Sequence, residues 1–144
     1  MAQTLFGDRM AGFKLPVTLG ALASGATNTA QEVARFVAPH AMKLAAAYAI
    51  FIAALTGAAT NYVSIWIRNK GTDGAGTTEM ATLAFSSTAV VAPADGPKAL
   101  TIETTTVANL LVAAGEVVSV KIGTGGGSGA AYPIGTFFAH FTMQ

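Results

Sequence analysis

The side chains that could do chemistry in this chain are few and scattered. There are two histidines, His40 and His140, seven carboxylates and no cysteine. The missing cysteines remove disulfides, thiolate metal sites and thiol nucleophiles together. A zinc site needs three or four ligands at short spacing, and no such group surrounds either histidine. His40 follows Pro39 in a turn, and His140 stands between Ala139 and Phe141 in a strand-like stretch. The plain expectation for each is a solvent-facing or hydrogen-bonded ring. The carboxylates fall mostly in turns or near strand ends, so a paired acid and base for glycoside hydrolysis has no support beyond their presence. No Gly-x-Ser-x-Gly elbow is found.

Two glycine-rich runs invite a ligand reading. Gly123-Thr-Gly-Gly-Gly-Ser-Gly129 has the texture of a phosphate loop. However, that motif needs Lys-Ser or Lys-Thr at the start of a helix, and the dinucleotide fingerprint also needs a following helix. Here Ala130-Ala-Tyr-Pro-Ile-Gly135 and a strand follow, which makes the run a loop between strands. Asp73-Gly-Ala-Gly-Thr77 lacks the spaced oxygens and terminal Glu of a calcium loop. The expectation is therefore no catalytic set, no metal and no cofactor.

The elements around these groups read as strands. Tyr62 to Arg68 sets Val63, Ile65 and Ile67 against Tyr62, Ser64, Trp66 and Arg68, the period of two expected of a strand. Glu32–Val37, Glu79–Phe85, Leu100–Ile102, Val117–Ile122 and Thr136–Thr142 follow suit. They are divided by Asn69–Thr78 and by Pro93-Ala-Asp-Gly-Pro97, both rich in turn formers. Met42–Ala59 is apolar except for Lys43. At helical spacing Leu44, Tyr48, Phe51, Ile52 and Leu55 would share a face, and a membrane span would need about 20 apolar residues. Its neighbours favour a strand covered on both faces, paired as a hairpin with the Tyr62 strand. Residues 1–30 show no clear period and no secretory leader. They read as an extended arm with Leu15, Val17 and Leu19 as contacts, joined at 23–30 to a body spanning 31–144. The fold expected from this spacing is all-β, a sandwich or barrel with that N-terminal arm.

Composition turns the argument toward assembly. Charged residues make up 10% of the chain and hydrophobic ones 52%, against roughly 25% charged in ordinary soluble domains. The net charge of +1 is too balanced for nucleic-acid binding. Through Lys70 the chain is net +4, and beyond it net −3, a division that suits head-to-tail contact between subunits. Charge is scarcest in 10–30, 42–59 and 122–144, where the arm contact, the core hairpin and a subunit interface are expected. Phe137 and Phe138 are adjacent, so they face opposite sides of a strand and one of them needs a cover from outside. Trp66 and Tyr132 are the other candidate interface aromatics, or stacking platforms if the sandwich is a lectin-like module of a phage fibre or tail.

The stretch Asn109-Leu-Leu-Val-Ala-Ala-Gly115-Glu-Val-Val-Ser-Val-Lys-Ile122, the glycine loop after it, Pro133-Ile-Gly135-Thr-Phe-Phe-Ala-His-Phe141 and Trp66-Ile-Arg-Asn-Lys-Gly-Thr-Asp-Gly74 resemble tailed-phage capsid decoration (cement) proteins. The resemblance covers residues 31–142 and lies in texture; no signature motif carries it. It implies a jelly-roll-like antiparallel β-sandwich with an extended N-terminal arm, and a homotrimer bound to major capsid protein on the outer surface of a virion assembled in the host cytoplasm. It implies no catalysis, and no direct contact with nucleic acid or membrane.

Overall fold

The computed structural model describes residues 14–27, 29–126 and 129–144. Twelve strands follow one another: β1 (Lys14–Leu22), β2 (Gln31–Val37), β3 (Met42–Phe51), β4 (Leu55–Thr56), β5 (Asn61–Asn69), β6 (Thr78–Ala84), β7 (Val91–Ala92), β8 (Pro97–Ala99), β9 (Thr101–Ile102), β10 (Leu111–Val112), β11 (Val117–Gly126) and β12 (Gly135–Met143). A single 3₁₀ turn, Val107–Leu110, precedes β10. The first sheet has the order β1-β12-β3, and β8 and β10 share the far edge of β3. The second runs β2-β11-β5-β6-β9. The pairings nest: β1 with β12, β2 with β11, β3 with β8 and β10, β5 with β6, all antiparallel. The chain is thus one long hairpin, with its tip at residues 70–77, rolled into two facing sheets. That is a jelly roll.

Alternation explains the core. β12 sends Phe137, Ala139 and Phe141 inward, where each is fully buried, and leaves Thr136, Phe138, His140 and Thr142 on the outer side. From the second sheet Val63, Ile65, Ile67, Val118, Val120 and Ile122 meet them. Phe51 stands edge-on to Phe137 and Phe85, with ring centroids 6.2 and 6.3 Å apart, and Phe36 stacks on Phe141 at 5.9 Å. Edge-to-face pairs add about 0.5–1.5 kcal/mol beyond area burial. Gly135 is fitted to this cluster, since a Cβ there would sit 2.6 Å from Phe51 Cε1.

Three sequence-based expectations need correction. First, Lys14–Leu22 is an edge strand of the first sheet, paired to β12 on both sides of a register shift at Leu19. Leu19 and Leu22 are buried, and Leu15 and Val17 pack against the core. These residues complete the cover over the second sheet, and β1 supplies the partner that one side of β12 requires. Pro16 fits because an edge strand tolerates a missing N–H. Residues 1–13, the other part of the expected arm, lie outside the described residues.

Second, Met42–Phe51 is a strand, but it does not form a hairpin with the Tyr62 strand. β3 belongs to the first sheet and β5 to the second, so residues 52–60 cross between the layers. Third, β3 is not covered on both faces. The register shifts between its pairs Leu44–Phe141 and Ala46–His140, so Leu44, Ala47, Ala49 and Phe51 all point inward while Tyr48 and Ile50 lie on the half-exposed outer side.

The neighbours Phe137 and Phe138 should therefore differ sharply. Phe137→Ala is expected to cost about 3–5 kcal/mol, as for large-to-small changes in cores, and Phe138→Ala less than about 1.5 kcal/mol. Urea unfolding midpoints of the two variants measure this.

Candidate functional site

The outer faces of the two sheets differ in chemistry. On the second sheet, cross-strand registry places Lys121 beside Trp66 and Ser119 beside Arg68 on β11 and β5, with Arg68 also beside Glu79 on β6. Lys121 Nζ and Arg68 Cζ each lie 5.3 Å from the centroid of a Trp66 ring. Arg68 Nη2 donates to Glu79 Oε1 at 2.9 Å, and its Nη1 lies 3.7 Å from Glu32 Oε2. Lys70 Nζ is 3.4 Å from Glu32 Oε1, and the buried Ser119 hydroxyl donates to the same oxygen at 2.9 Å. Partial burial opposes ionisation of Glu32. The Ser119 hydrogen bond and the charges of Lys70 and Arg68 outweigh it and hold the carboxyl below its ordinary 4.5. Trp66 is half-buried and its ring is already engaged by cations of its own chain.

The outer face of the first sheet lacks this network. Its centre is Phe138, which lies across from Tyr48 on one side and Thr18 on the other. The His140 ring meets Tyr48 edge-on at 5.7 Å. Ile50 and Thr136 are cross-strand neighbours one step along. Charge enters only in the row Lys14, Thr142, Lys43 and Leu111 at one end. Among the described residues no carboxylate lies in these registers.

The loops sort by charge as well. Gly25 and Tyr132 exchange backbone hydrogen bonds of 3.0 and 2.9 Å, Ile52 N donates to Ile134 O at 3.1 Å, Gly57 N to Val90 O at 2.9 Å, and Asp95 N to Phe51 O at 2.8 Å. Residues 23–27, 29–30, 52–60, 85–96 and 129–134 therefore meet at one end of the sandwich, and Asp95 is the single charged residue among them. The opposite end has loops bearing Lys70, Asp73, Glu103 and Glu116, held by Ala38 N to Glu116 O and Lys70 N to Val117 O. There Glu116 Oε2 accepts from Asn69 Nδ2 and from Ala113 N, both at 2.7 Å.

The candidate residues named from sequence separate into three groups. Leu19, Tyr132 and Phe137 are core, exposed by 1%, 3% and 0%, so none of them offers a surface to a partner. The Tyr132 ring fills the space above Gly25, where any side chain would collide with it. Burial raises the pKa of its hydroxyl, with Gln31 Nε2 donating to it at 3.1 Å. Leu15 and Val17 are half-buried against the core, on the inner side of β1. Trp66 and Phe138 stand on outer faces, but on opposite sheets. The structure does not bring these seven residues together.

Reading along the chain missed Ile52, Ile134 and Val91, which are 60%, 39% and 39% exposed at the uncharged end. Their signal was the stretch of sequence without charge; its meaning needed the folded adjacency of four distant loops. An open cleft of about 230 Å³ lies beside β6 and β9, lined by Glu79, Thr82, Thr101, Glu103, Thr104 and others. Backbone N–H groups of Thr106 and Thr105 hold the Glu103 carboxyl below its ordinary value. Among the described residues no group of three His, Asp or Glu side chains is placed to hold a metal ion. No helix there is long and apolar enough to cross a membrane.

No family model and no curated protein matches the chain. Three chains of solved structures do. One is from the structure of infectious bursal disease virus Gx strain, 12% identical, with a TM-score of 0.43, covering 91% of this chain and 32% of that one. The chain thus spans about a third of the length of that protein.

The Glu32 network makes a pH-dependent contribution. Its folded-state pKa lies below the unfolded value, so the contribution is complete above 4.5 and is lost as pH falls through the folded value. For a partly exposed cluster it amounts to about 1 kcal/mol or less. Glu32→Gln should be less stable than the parent at pH 7 by that amount, and the gap should close in acid. Denaturant midpoints measured across pH test this.

Proposed function

We propose that this protein is a non-catalytic structural component of a virus particle. In this reading it associates with itself, as a homotrimer, and binds the outside of an icosahedral shell, stabilising contacts between major capsid subunits. The observation that supports it is a surface of two kinds on a jelly-roll frame, an architecture used by viral capsid domains among others. The partly aromatic face of β1-β12-β3, charged only in the lysine row at one end, continues a charge-poor composition and suits burial against protein. The ion-paired face of β2-β11-β5-β6 suits water. Binding across subunit boundaries favours the assembled shell by mass action, by about 2.7 kcal/mol per site at a hundredfold excess over the dissociation constant.

The test is to incubate the protein with shells of its virus that lack it, sediment them, and measure the temperature at which they open. The expected result is co-sedimentation and a higher opening temperature, both reduced by Phe138→Asp and unaffected by Lys121→Ala. Shells that neither bind the protein nor gain heat stability would remove the reading.

One observation favours a glycan-binding alternative, the threonine-lined cleft beside β6 and β9. Trp66 and Tyr132 do not strengthen it, since one ring is covered by cations and the other is buried. Binding on a glycan array that is lost in Thr101→Val would select this alternative.

A further inference from the structure

The charge-poor end of the sandwich is a preformed surface; Val37, Val107 and Leu111 are also exposed among the described residues, but they stand at the end that bears the lysines and the acidic loops. Its four loops are tied to one another by backbone hydrogen bonds, so little ordering remains to oppose association. Ile52 directly follows β3 and is 60% exposed, and Ile134, whose carbonyl accepts from its N–H, is 39% exposed. Val91 on β7 lies across from Thr56 on β4 in the same loop set and is 39% exposed. Alanine, threonine, glycine and serine fill most of the remaining loop positions. The opposite end, by contrast, carries the Lys14–Lys43 row and the Lys70, Asp73, Glu103 and Glu116 loops.

We propose that copies of this chain join one another through this uncharged loop end. The inference rests on the self-association in the reading above and names the surface that makes it. Charge matching selects the occupant. A partner patterned in charge would find nothing to pair with and would bury its own charges at a cost. The same end of a second copy is equally neutral, with only Asp95 to repel, and the contact leaves both charged ends in water.

The size of the contact sets its strength. Four or five strands spaced by about 4.8 Å, in two layers about 10 Å apart, present an end of about 400–500 Å². Two such ends bury about 900 Å² in total, under the roughly 1,200 Å² at which stable pairwise interfaces begin. A contact of this size is weak, so association is expected only at high concentration.

Sedimentation velocity of the full chain between about 10 μM and 1 mM, a range that resolves weak contacts, tests this. Three variants accompany the parent: Ile52→Asp, Ile134→Asp and, at the opposite end, His40→Asp. Ile52 and His40 are exposed, so those two changes leave the core untouched, and circular dichroism and thermal midpoints verify the folding of all three. The parent should self-associate as concentration rises, with an association constant that changes by no more than about twofold between 50 mM and 1 M salt. Ile52→Asp and Ile134→Asp should weaken it at least about tenfold, and His40→Asp should leave it unchanged.

A parent that stays monomeric at 1 mM would overturn the proposal, as would equal weakening by His40→Asp or a steep loss with salt. Flotation of a monomeric parent with phosphatidylcholine vesicles, lost in Ile52→Asp, would replace it with a lipid surface. Self-association through this end without any effect on shells would keep the inference and remove the virion reading.

Discussion

The register of β12 between β1 and β3 is the constraint on which the rest of the molecule depends. β12 is paired along both edges, and its alternation decides which of two adjacent phenylalanines is core. A slip of one residue would turn Phe137 outward and Phe138 inward, and would take Ala139 and Phe141 out of the core with it. The aromatic cluster of Phe51, Phe85 and Phe137 would then lose its centre. Gly135 sits against Phe51, where only a missing side chain fits, and pins the same register from the strand's first residue. Because β1 and β12 come from opposite ends of the chain, this contact closes the whole roll.

That closure also explains what could be read from the sequence. β5, β6, β11 and β12 were legible because core residues recur at every second position in Val63-Ile65-Ile67, Ala81-Leu83-Phe85, Val118-Val120-Ile122 and Phe137-Ala139-Phe141. The turn run at 70–77 was equally plain, and it proved to be the tip of the long hairpin. β1 was obscured because Pro16 and Gly20 interrupt the polar side of its pattern, although Leu15, Val17 and Leu19 already alternate. The partner of β3 was not legible at all. Gly57 and Asn61 look like a hairpin turn, and only the need to cover both sheets sends the chain across to the other layer.

The surfaces were harder to read than the core. Tyr132 and Leu19 have the residue types of interface anchors but are consumed by packing, Tyr132 above Gly25 and Leu19 beneath β1. Trp66 keeps an outer position, yet Lys121 and Arg68 already engage its ring. The scarcity of charge was visible as composition, but composition does not say where the loops meet. Folding gathers residues 23–27, 29–30, 52–60, 85–96 and 129–134 from across the chain into one end with a single charge, Asp95. The ion pairs of Glu32, Arg68, Lys70 and Glu79 hold to one sheet and the acidic loops to the other end.

The pairing of Lys14 with Thr142, and the hydrogen bond from Gln144 N to Ala41 O at 3.2 Å, have one more consequence. The start of β1 and the end of β12 leave the sandwich side by side, at the end that bears the lysine row. A peptide or fluorescent domain spliced onto either side of the body would be displayed there, a strand's length away from Ile52 and Ile134. The fold thus separates an attachment pole from a contact pole, and cargo added at the first need not obstruct the second.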